Sequence, residues 1–296
     1  MSDLFEMVGV KPELAEQQVP EKENRWYDTI PWLSVIILIL IVGGCLFCNR
    51  IMTKDPSYMD LKNYTIAPCK EFLFGTDTMG RDIFSMIWYG GRISLSIGFL
   101  ATAISTAIAI VFGAVSGYAP RWLDEILMRL TEIFLSVPEL LIIILLQAVI
   151  GKATIWSLAF VIGITSWTGI AKIVRTEVIQ LKNSEYVLAA RSMGGSFFYI
   201  LIRHLTPNFI SSIMFMVVMN VRGAIVAEST LSFMGLGLPL EGVSWGSMLS
   251  LADQALLNGA WWIILIPGAF LVTTLMCVTN LGNYLRIRNN QGVRNL

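Results

Sequence analysis

The sequence predicts an all-α integral membrane protein with six transmembrane helices. Hydrophobic residues make up 55% of the 296 residues and charged residues only 14%, and the mean hydropathy is +0.67. Such a composition is too apolar for a soluble domain of this length. The apolar residues fall into six separate segments, each close to the roughly 20 residues that cross the hydrocarbon core of a bilayer.

The six segments are separated by polar or helix-ending residues. The second contains Gly113-x-x-x-Gly117, which suits close contact with another helix, and Pro138 predicts a kink in the third. We do not expect a cleaved signal peptide, because a mostly polar stretch precedes the first segment and no small-residue cleavage site follows it. The predicted spans are residues 31–48, 94–118, 133–150, 155–171, 209–233 and 261–280.

The positions of the basic residues predict the orientation. Arg121, Arg175, Lys182 and Arg203 share one side of the membrane if both termini are cytoplasmic, and most basic residues on the other side lie in one long loop. A long loop has little weight in the positive-inside rule. We therefore predict a cytoplasmic N-terminal segment (1–30), a first span (31–48), an extracytoplasmic loop with an amphipathic helix (49–93), a five-helix core (94–285) and a cytoplasmic tail (286–296).

A polar loop, residues 183–208, joins the fourth and fifth spans. Asn183 and Ser184 supply N-cap chemistry, Gly194-Gly195 end the helix, and a second helix is expected from residue 197 to 205. A simple return to the bilayer needs only a few residues, so the length of this loop indicates a partner. One side of the first helix carries Tyr186, Val187, Ala190 and Met193, and Ala189 and Ala190 leave room for a close neighbour.

This loop resembles the cytoplasmic loop of ATP-binding-cassette (ABC) importer permeases. The family signature is two alanines, three residues, a glycine, nine residues, a hydrophobic position and a Leu-Pro pair. The matching residues are Ala189, Ala190, Gly194 and Pro207. The departures are Leu188, where the general signature has Glu, His204 at the hydrophobic position and Thr206 before the proline. Several departures also occur in the branch that imports oligopeptides, dipeptides and nickel. Two further blocks resemble that branch: FGTDTMGRDIFSMIWYGGRISLSIG (74–98) and LSFMGLGLPLEGVSWGSML (231–249).

The resemblance implies a type I importer permease in the plasma or inner membrane that is not itself an enzyme and binds no cofactor. Its implied partners are a second, related permease, two ATPase subunits that bind ATP and Mg²⁺, an extracytoplasmic substrate-binding protein and the bilayer. Peptides are the expected substrates, and nickel is the main alternative. The ATPases are expected to contact a coupling loop that includes Glu185, Tyr186, Ala189, Ala190, Arg191, Gly194 and Pro207.

Three charged residues lie within predicted spans: Glu139, Arg222 and Glu228. A charge facing lipid at mid-depth costs on the order of 3 kcal/mol or more, so these side chains should face protein or water. We expect them to line a translocation path or a subunit interface, with a structural role favoured for Glu228. Arg222 and Glu228 are six residues apart and are therefore not natural partners on one helix.

The segment GTDTMGRD, residues 75–82, has glycines like those of a phosphate-binding loop but lacks the Gly-Lys-Ser/Thr ending. We interpret it as a structured turn in which Thr76 and Asp77 cap a helix that begins at Gly80. Arg81 and Asp82 could pair locally or with a partner. We expect Asp77, Arg81 and Asp82 to contact the extracytoplasmic binding protein, and Trp245, Trp261 and Trp262 to be interfacial anchors.

Several functional classes are disfavoured by the composition. The formal net charge of zero gives no indication of a nucleic-acid partner, and a single histidine cannot form a multi-histidine metal site. Cys45-x-x-Cys48 lies in an apolar segment, which favours packed thiols over a zinc site. A secondary transporter and a membrane scaffold stay open as alternatives, although the former usually places acids on broken helices near the midplane.

Overall fold

The computed structural model describes residues 31–239 and 242–294. Over these residues it consists of helices and loops, with one isolated bridge between Thr76 and Asp82. The predicted cytoplasmic N-terminal segment, residues 1–30, lies outside the described residues. The all-α fold class predicted from the composition is confirmed.

Eleven helices are labelled here in chain order, and two single turns, Cys48–Ile51 and Leu61–Asn63, are left unlabelled. The helices are α1 (Trp32–Leu46), α2 (Ile83–Tyr118), α3 (Arg121–Ser136), α4 (Glu139–Ile150), α5 (Ile155–Thr165), α6 (Thr168–Leu181), α7 (Glu185–Ser192), α8 (Phe197–Phe233), α9 (Trp245–Leu249), α10 (Ala252–Leu257) and α11 (Trp262–Arg294).

Among the described helices, α2, α8 and α11 are long and apolar enough to cross a membrane on their own. Two further spans arise if each bent pair is one span: α3 with α4, bent by 88°, and α5 with α6, bent by 47°. The apolar helix α1 has only 15 residues. Each predicted segment thus coincides with a helix or a bent pair, and Pro138 lies at the 88° bend, while the count of six crossings stays a prediction.

Two predicted boundaries are wrong because helices continue through them. The amphipathic helix and the second span are one 36-residue helix, α2, about 54 Å long. Gly90 and Gly91 lie inside this helix at points of close packing: an added Cβ would lie 3.2 Å from the backbone of Ser244 at Gly90 and 2.5 Å from Trp245 at Gly91. In α8, Pro207 lacks an N–H and cannot donate the usual helical hydrogen bond. The turn at Leu201–Leu205 is wider, with the Thr206 N–H bonded to the carbonyl of Leu201, and the helix continues through it.

The start of α2 also differs from the prediction. Asp82 is the N-cap residue, and its Oδ2 accepts hydrogen bonds from the Ser85 N–H (3.0 Å) and hydroxyl (2.6 Å). Thr76 instead donates its hydroxyl to the carbonyl of Asn63 at 2.6 Å and accepts from the N–H of Ile66 at 2.7 Å. The capping role predicted for Thr76 and Asp77 is therefore wrong, because these residues hold the preceding loop together.

The bundle is organised around α2. At Gly113 an added Cβ would lie 2.5 Å from the carbonyl oxygen of Ala171 in α6, and at Gly117 it would lie 2.8 Å from that of Arg175. At Gly163 in α5 it would lie 2.8 Å from the carbonyl of Ala101 in α2. The prediction that Gly113 and Gly117 permit close helix contact is confirmed, and α6 is the partner helix.

Buried apolar side chains form three clusters along α2. The loop-side cluster joins the end of α2 and α6 to α7 and the start of α8, and the middle cluster joins α2, α4, α5 and α8. The far-side cluster joins α1, the start of α2, α9 and α11. Within it, Trp245 is fully buried and donates its indole N–H to the carbonyl of Ile87 at 3.0 Å. Trp262 is also buried, so among the three tryptophans only Trp261 is exposed, and the anchor prediction is wrong for Trp245 and Trp262.

We expect Gly113→Ala to destabilise the bundle by about 1–3 kcal/mol, because the added methyl group must push α6 away from α2. The matched control is Gly43→Ala in α1, where nothing lies within 4 Å of the added Cβ and alanine favours the helix. Thermal unfolding of the purified complex in detergent should show a lower midpoint for Gly113→Ala only. Equal midpoints would contradict the packing argument.

Candidate coupling loop and translocation site

The helix α7 is closed by the two glycines that follow it. Gly194 has φ = +83°, its N–H bonds to the carbonyl of Arg191 at 3.0 Å, and the N–H of Gly195 bonds to the carbonyl of Ala190 at 3.0 Å. This is a Schellman motif, in which a glycine takes the left-handed conformation at little cost. The predicted glycine stop is confirmed. Ser184 occupies the N-cap position, but its hydroxyl donates to the carbonyl of Leu181, so the predicted side-chain cap is wrong.

The helix α7 has a buried face and an exposed face. Val187 and Ala190 are buried in the loop-side cluster, so the close neighbour of Ala190 lies within this chain. Tyr186, Leu188 and Met193 are exposed, and 82% of the Met193 surface is accessible. Glu185, Ala189 and Arg191 are exposed as well. An exposed helix face that mixes apolar and charged groups is suited to docking another protein.

Polar contacts attach the segment around α7 to the ends of α2 and α6. Lys182 donates to the carbonyl of Gly117 at 2.8 Å, and the guanidinium of Arg191 lies 5.8 Å from the ring centre of Tyr118. Arg175 donates to both carboxylate oxygens of Asp124, at 2.6 and 2.5 Å. Bidentate Arg–carboxylate pairs fix geometry strongly. Nothing in the sequence pattern indicates the Asp124–Arg175 pair, because its members are 51 residues apart.

The residues at the start of α8 complete the loop. The imidazole of His204 lies between two aromatic rings, with centroid distances of 6.3 Å to Tyr186 and 5.7 Å to Tyr199. Pro207 is exposed within α8, two residues after the wide turn. The predicted loop residues therefore share one structural unit, in which α7 and the start of α8 pack on each other.

A cavity of about 340 Å³, with a mostly apolar lining that carries a few polar side chains, lies where both bent pairs are broken. Its lining includes Glu139 at the start of α4, Thr165 and Ser166 at the break between α5 and α6, Thr168 at the start of α6 and Asn220 in α8. Asn220 donates its amide to the Ser105 hydroxyl at 2.5 Å and to the Ser166 carbonyl at 3.3 Å. Helix breaks thus expose backbone and side-chain polar groups around a space, which is the arrangement that transporters use for polar substrates.

Glu139 is among the residues predicted from the sequence, whereas Asn220 is not. A lone asparagine within an apolar span is a usable signal, because an amide facing lipid is costly.

Glu228 is fully buried within this chain. Its carboxylate accepts hydrogen bonds from Ser94 in α2 at 2.9 Å and from Ser232 in α8 at 2.8 Å. The Ser94 hydroxyl also accepts from the backbone N–H of Trp245 at 3.2 Å, so this node joins α8, α2 and α9. The expectation that Glu228 lines a path or pairs across a subunit interface is therefore corrected: it holds three helices of one chain together.

Arg222 is exposed on α8, and no hydrogen bond or ion pair of its guanidinium occurs within the described residues. It is thus available to a second subunit, to substrate or to water, as the sequence analysis expected. It is not paired with Glu228, whose partners are serines.

The three residues expected to contact a binding protein are buried instead. Asp77 and Arg81 form an ion pair with Nε and Oδ2 2.7 Å apart, and Asp82 caps α2. The carboxylate of Asp77 also accepts from the N–H groups of Met79 and Arg81 at 2.8 Å. Local pairing is confirmed for Arg81, and the expected contact with a partner is corrected, because these side chains are enclosed by their own loop.

Comparison with known proteins agrees with this architecture. The family of binding-protein-dependent transport system inner membrane components matches residues 109–288, which include α7, Glu139 and Arg222. The chain belongs to this family. Among its relatives, the oligopeptide transport system permease protein OppC of Bacillus subtilis is 35% identical over 96% of this chain and 95% of the relative.

Two further relatives are similar. The dipeptide transport system permease protein DppC of Bacillus subtilis is 38% identical over 86% of this chain and 78% of the relative. OppC of Haemophilus influenzae is 37% identical over 86% of this chain and 80% of the relative. The chain is therefore a multi-pass inner-membrane permease of an ABC importer, in the branch that the three sequence blocks indicated.

We expect Arg222→Gln to lower substrate uptake about tenfold, because it removes a charge that is available to substrate. The complex should still assemble and keep its basal ATP hydrolysis, because the exposed guanidinium contributes nothing to the fold of its own chain. Arg222→Lys, which keeps the charge, is the control and should retain most of the uptake. Assembly and uptake are measured on the same preparation. Loss of the second permease from the Arg222→Gln preparation would place Arg222 at the subunit interface instead.

Proposed function

We propose that this chain forms the translocation path of a peptide importer together with a second, related permease, and that two ATPase subunits drive it through α7. An extracytoplasmic binding protein delivers the substrate, and the ATPases, not this chain, bind ATP and Mg²⁺. The observation that carries the proposal is the exposed face of α7 on a helix that is otherwise fixed to the bundle.

The coupling step follows from the contacts that attach α7 to the bundle. Val187 and Ala190 insert into the loop-side cluster, and Lys182 bonds to the end of α2, so a force on the exposed face reaches α2 and α6 directly. Packed helices move as rigid bodies between discrete arrangements. Closure of the ATPases on ATP binding would therefore swing the cytoplasmic part of the bundle and switch the path between inward- and outward-open states.

The substrate assignment rests on the relatives and on the polar groups in the cavity at the helix breaks. The relatives named above are oligopeptide and dipeptide permeases. A peptide carries amide, ammonium and carboxylate groups, and the cavity at the helix breaks offers Glu139, Asn220 and hydroxyl groups to them. Nickel is the alternative substrate in this branch; the one histidine, His204, packs between tyrosines of the coupling loop.

A second permease within the membrane would pack against an apolar surface of this chain. The amphipathic helix α3 exposes a stripe at helical spacing, Trp122, Ile126, Leu130 and Ile133. Lipid or a related permease would cover it. Both termini are proposed to be cytoplasmic, because this orientation places α7 and most short basic loops on the side of the ATPases.

The coupling assignment is tested with Leu188→Arg. Leu188 is exposed on α7, so the substitution leaves the fold intact but places a charge in the docking face. We expect substrate-stimulated ATP hydrolysis and uptake to fall at least about tenfold, which corresponds to roughly 1.4 kcal/mol of lost contact energy. Leu188→Met, which keeps an apolar side chain, should behave like the unmodified protein.

The measurement uses proteoliposomes containing both permeases and both ATPases, with a radiolabelled tripeptide and its binding protein. Normal stimulation of ATP hydrolysis in Leu188→Arg would remove α7 as the coupling element. Uptake of nickel ions but of no peptide by the unmodified importer would assign the alternative substrate.

A further inference from the structure

The cavity at the helix breaks holds an acidic side chain without a partner. Among the described residues that line this cavity, Glu139 is the only charged one. Its side chain is exposed and forms no hydrogen bond or ion pair with another described residue. Glu139 lies in the first turn of α4, where the helix N-terminus favours a negative charge. A carboxylate beside apolar walls is costly unless a cation or water compensates it, so this group is open to a cationic ligand.

Asn220 presents a hydrogen-bond acceptor to the same cavity. The nitrogen of its amide donates to the hydroxyl of Ser105 and to the carbonyl of Ser166, so both of its N–H groups are used. Because a carbonyl oxygen can only accept, the nitrogen must face Ser166, and the amide oxygen points away from it. This oxygen accepts no hydrogen bond from a described residue, yet it is not enclosed by the protein. Asn220 therefore offers the cavity an acceptor and no donor.

The polar groups that remain open in this cavity fit a primary ammonium group. Thr168, at the start of α6, adds a hydroxyl that has no partner among the described residues and is also not enclosed. The carboxylate of Glu139, the amide oxygen of Asn220 and this hydroxyl can all accept hydrogen bonds, and an ammonium group has three donors and a positive charge. A carboxylate ligand would instead meet the like charge of Glu139. The lining is thus complementary to a cation that donates hydrogen bonds.

The cavity is both accessible and held in shape. It opens to the surface of the chain at the bend between α3 and α4, where Leu135 and Val137 are 53% and 43% exposed. Asn220 is held between α2 and the break that follows α5, and a fixed acceptor lowers the ordering cost of binding. The apolar part of the lining lowers the local dielectric constant, which strengthens the attraction between a carboxylate and a cation. The volume of about 340 Å³ lies within the usual range of roughly 300–1,000 Å³ for ligand sites.

We propose that this cavity binds a primary ammonium group of the peptide during its passage, with Glu139 as the counter-charge and Asn220 as an acceptor. The proposal rests on the peptide substrate proposed above and adds that the permease itself discriminates between peptides by their positive charge. A free N-terminus carries such a group, and a lysine side chain is a second source of the same chemistry.

The test uses the complete importer in proteoliposomes, with each peptide loaded to saturation on the binding protein, so that binding-protein affinity does not set the rate. Trialanine carries an N-terminal ammonium group, N-acetylalanyl-lysyl-alanine carries only a side-chain one, and N-acetyltrialanine carries none. Glu139→Gln keeps the shape and removes the charge. It should slow the uptake of an ammonium-bearing peptide about tenfold and leave N-acetyltrialanine unchanged or faster.

Two further variants serve as controls. Glu139→Asp keeps the charge and should retain more of the rate than Glu139→Gln. Glu132→Gln makes the same change in an exposed residue of α3 that pairs with Arg129 outside the cavity, and it should take up all three peptides at the unmodified rates.

Rates are expressed per assembled complex. A loss confined to trialanine would assign the N-terminal ammonium group, and a loss confined to the lysine peptide would assign the side chain. Unchanged uptake of both ammonium-bearing peptides in Glu139→Gln, or an equal loss for N-acetyltrialanine, would overturn the proposal. If Glu139→Gln does not assemble, Glu139→Ala takes its place, and failure of both to assemble would overturn the proposal because Glu139 would then be a structural residue. Uptake of none of the peptides by the unmodified importer would instead refute the proposed function.

Discussion

The close contact between α2 and α6 is the constraint on which the rest of the structure depends. Gly113 and Gly117 let the two backbones approach until a single methyl group would collide with a carbonyl oxygen of the opposite helix. The loop-side cluster forms around this contact and includes Val187 and Ala190 of α7. At its other end the same helix α2 carries Ser94, which binds the buried carboxylate of Glu228. One 36-residue helix therefore connects the coupling loop with the polar node.

The local signals in the sequence predicted local structure well. Pro138 marked the sharpest bend, and the Gly194-Gly195 pair marked the end of α7, because each acts through its own backbone. The continuous α2 was missed, because the close contacts of Gly90 with Ser244 and of Gly91 with Trp245, more than 150 residues later, cannot be recognised from the local sequence. Tertiary packing overrode propensity at that point.

The charged residues separate into two groups for the same reason. Asp77, Arg81 and Glu228 are buried and satisfied, and their partners depend on how loops and helices come together, so the sequence alone could not exclude functional roles for them. Glu139 and Arg222 keep the exposure that was expected. The broken helices explain where polar groups can be useful in an apolar bundle: at each break the backbone leaves the helix, and Asn220 reaches the carbonyl of Ser166 there.

The central claim of the proposed mechanism is that α7 and the end of the bundle that it packs against move as one body. Spin labels at Met193 and Arg121, both exposed, measure this directly in the assembled importer, with a third label on the second permease. Between the nucleotide-free and ATP-trapped states, the distance from Met193 to Arg121 should change by less than about 2 Å, while the distance from Met193 to the second permease changes by more. A change of about 5 Å or more between Met193 and Arg121, one helical turn, would show that the loop moves independently and would contradict the account.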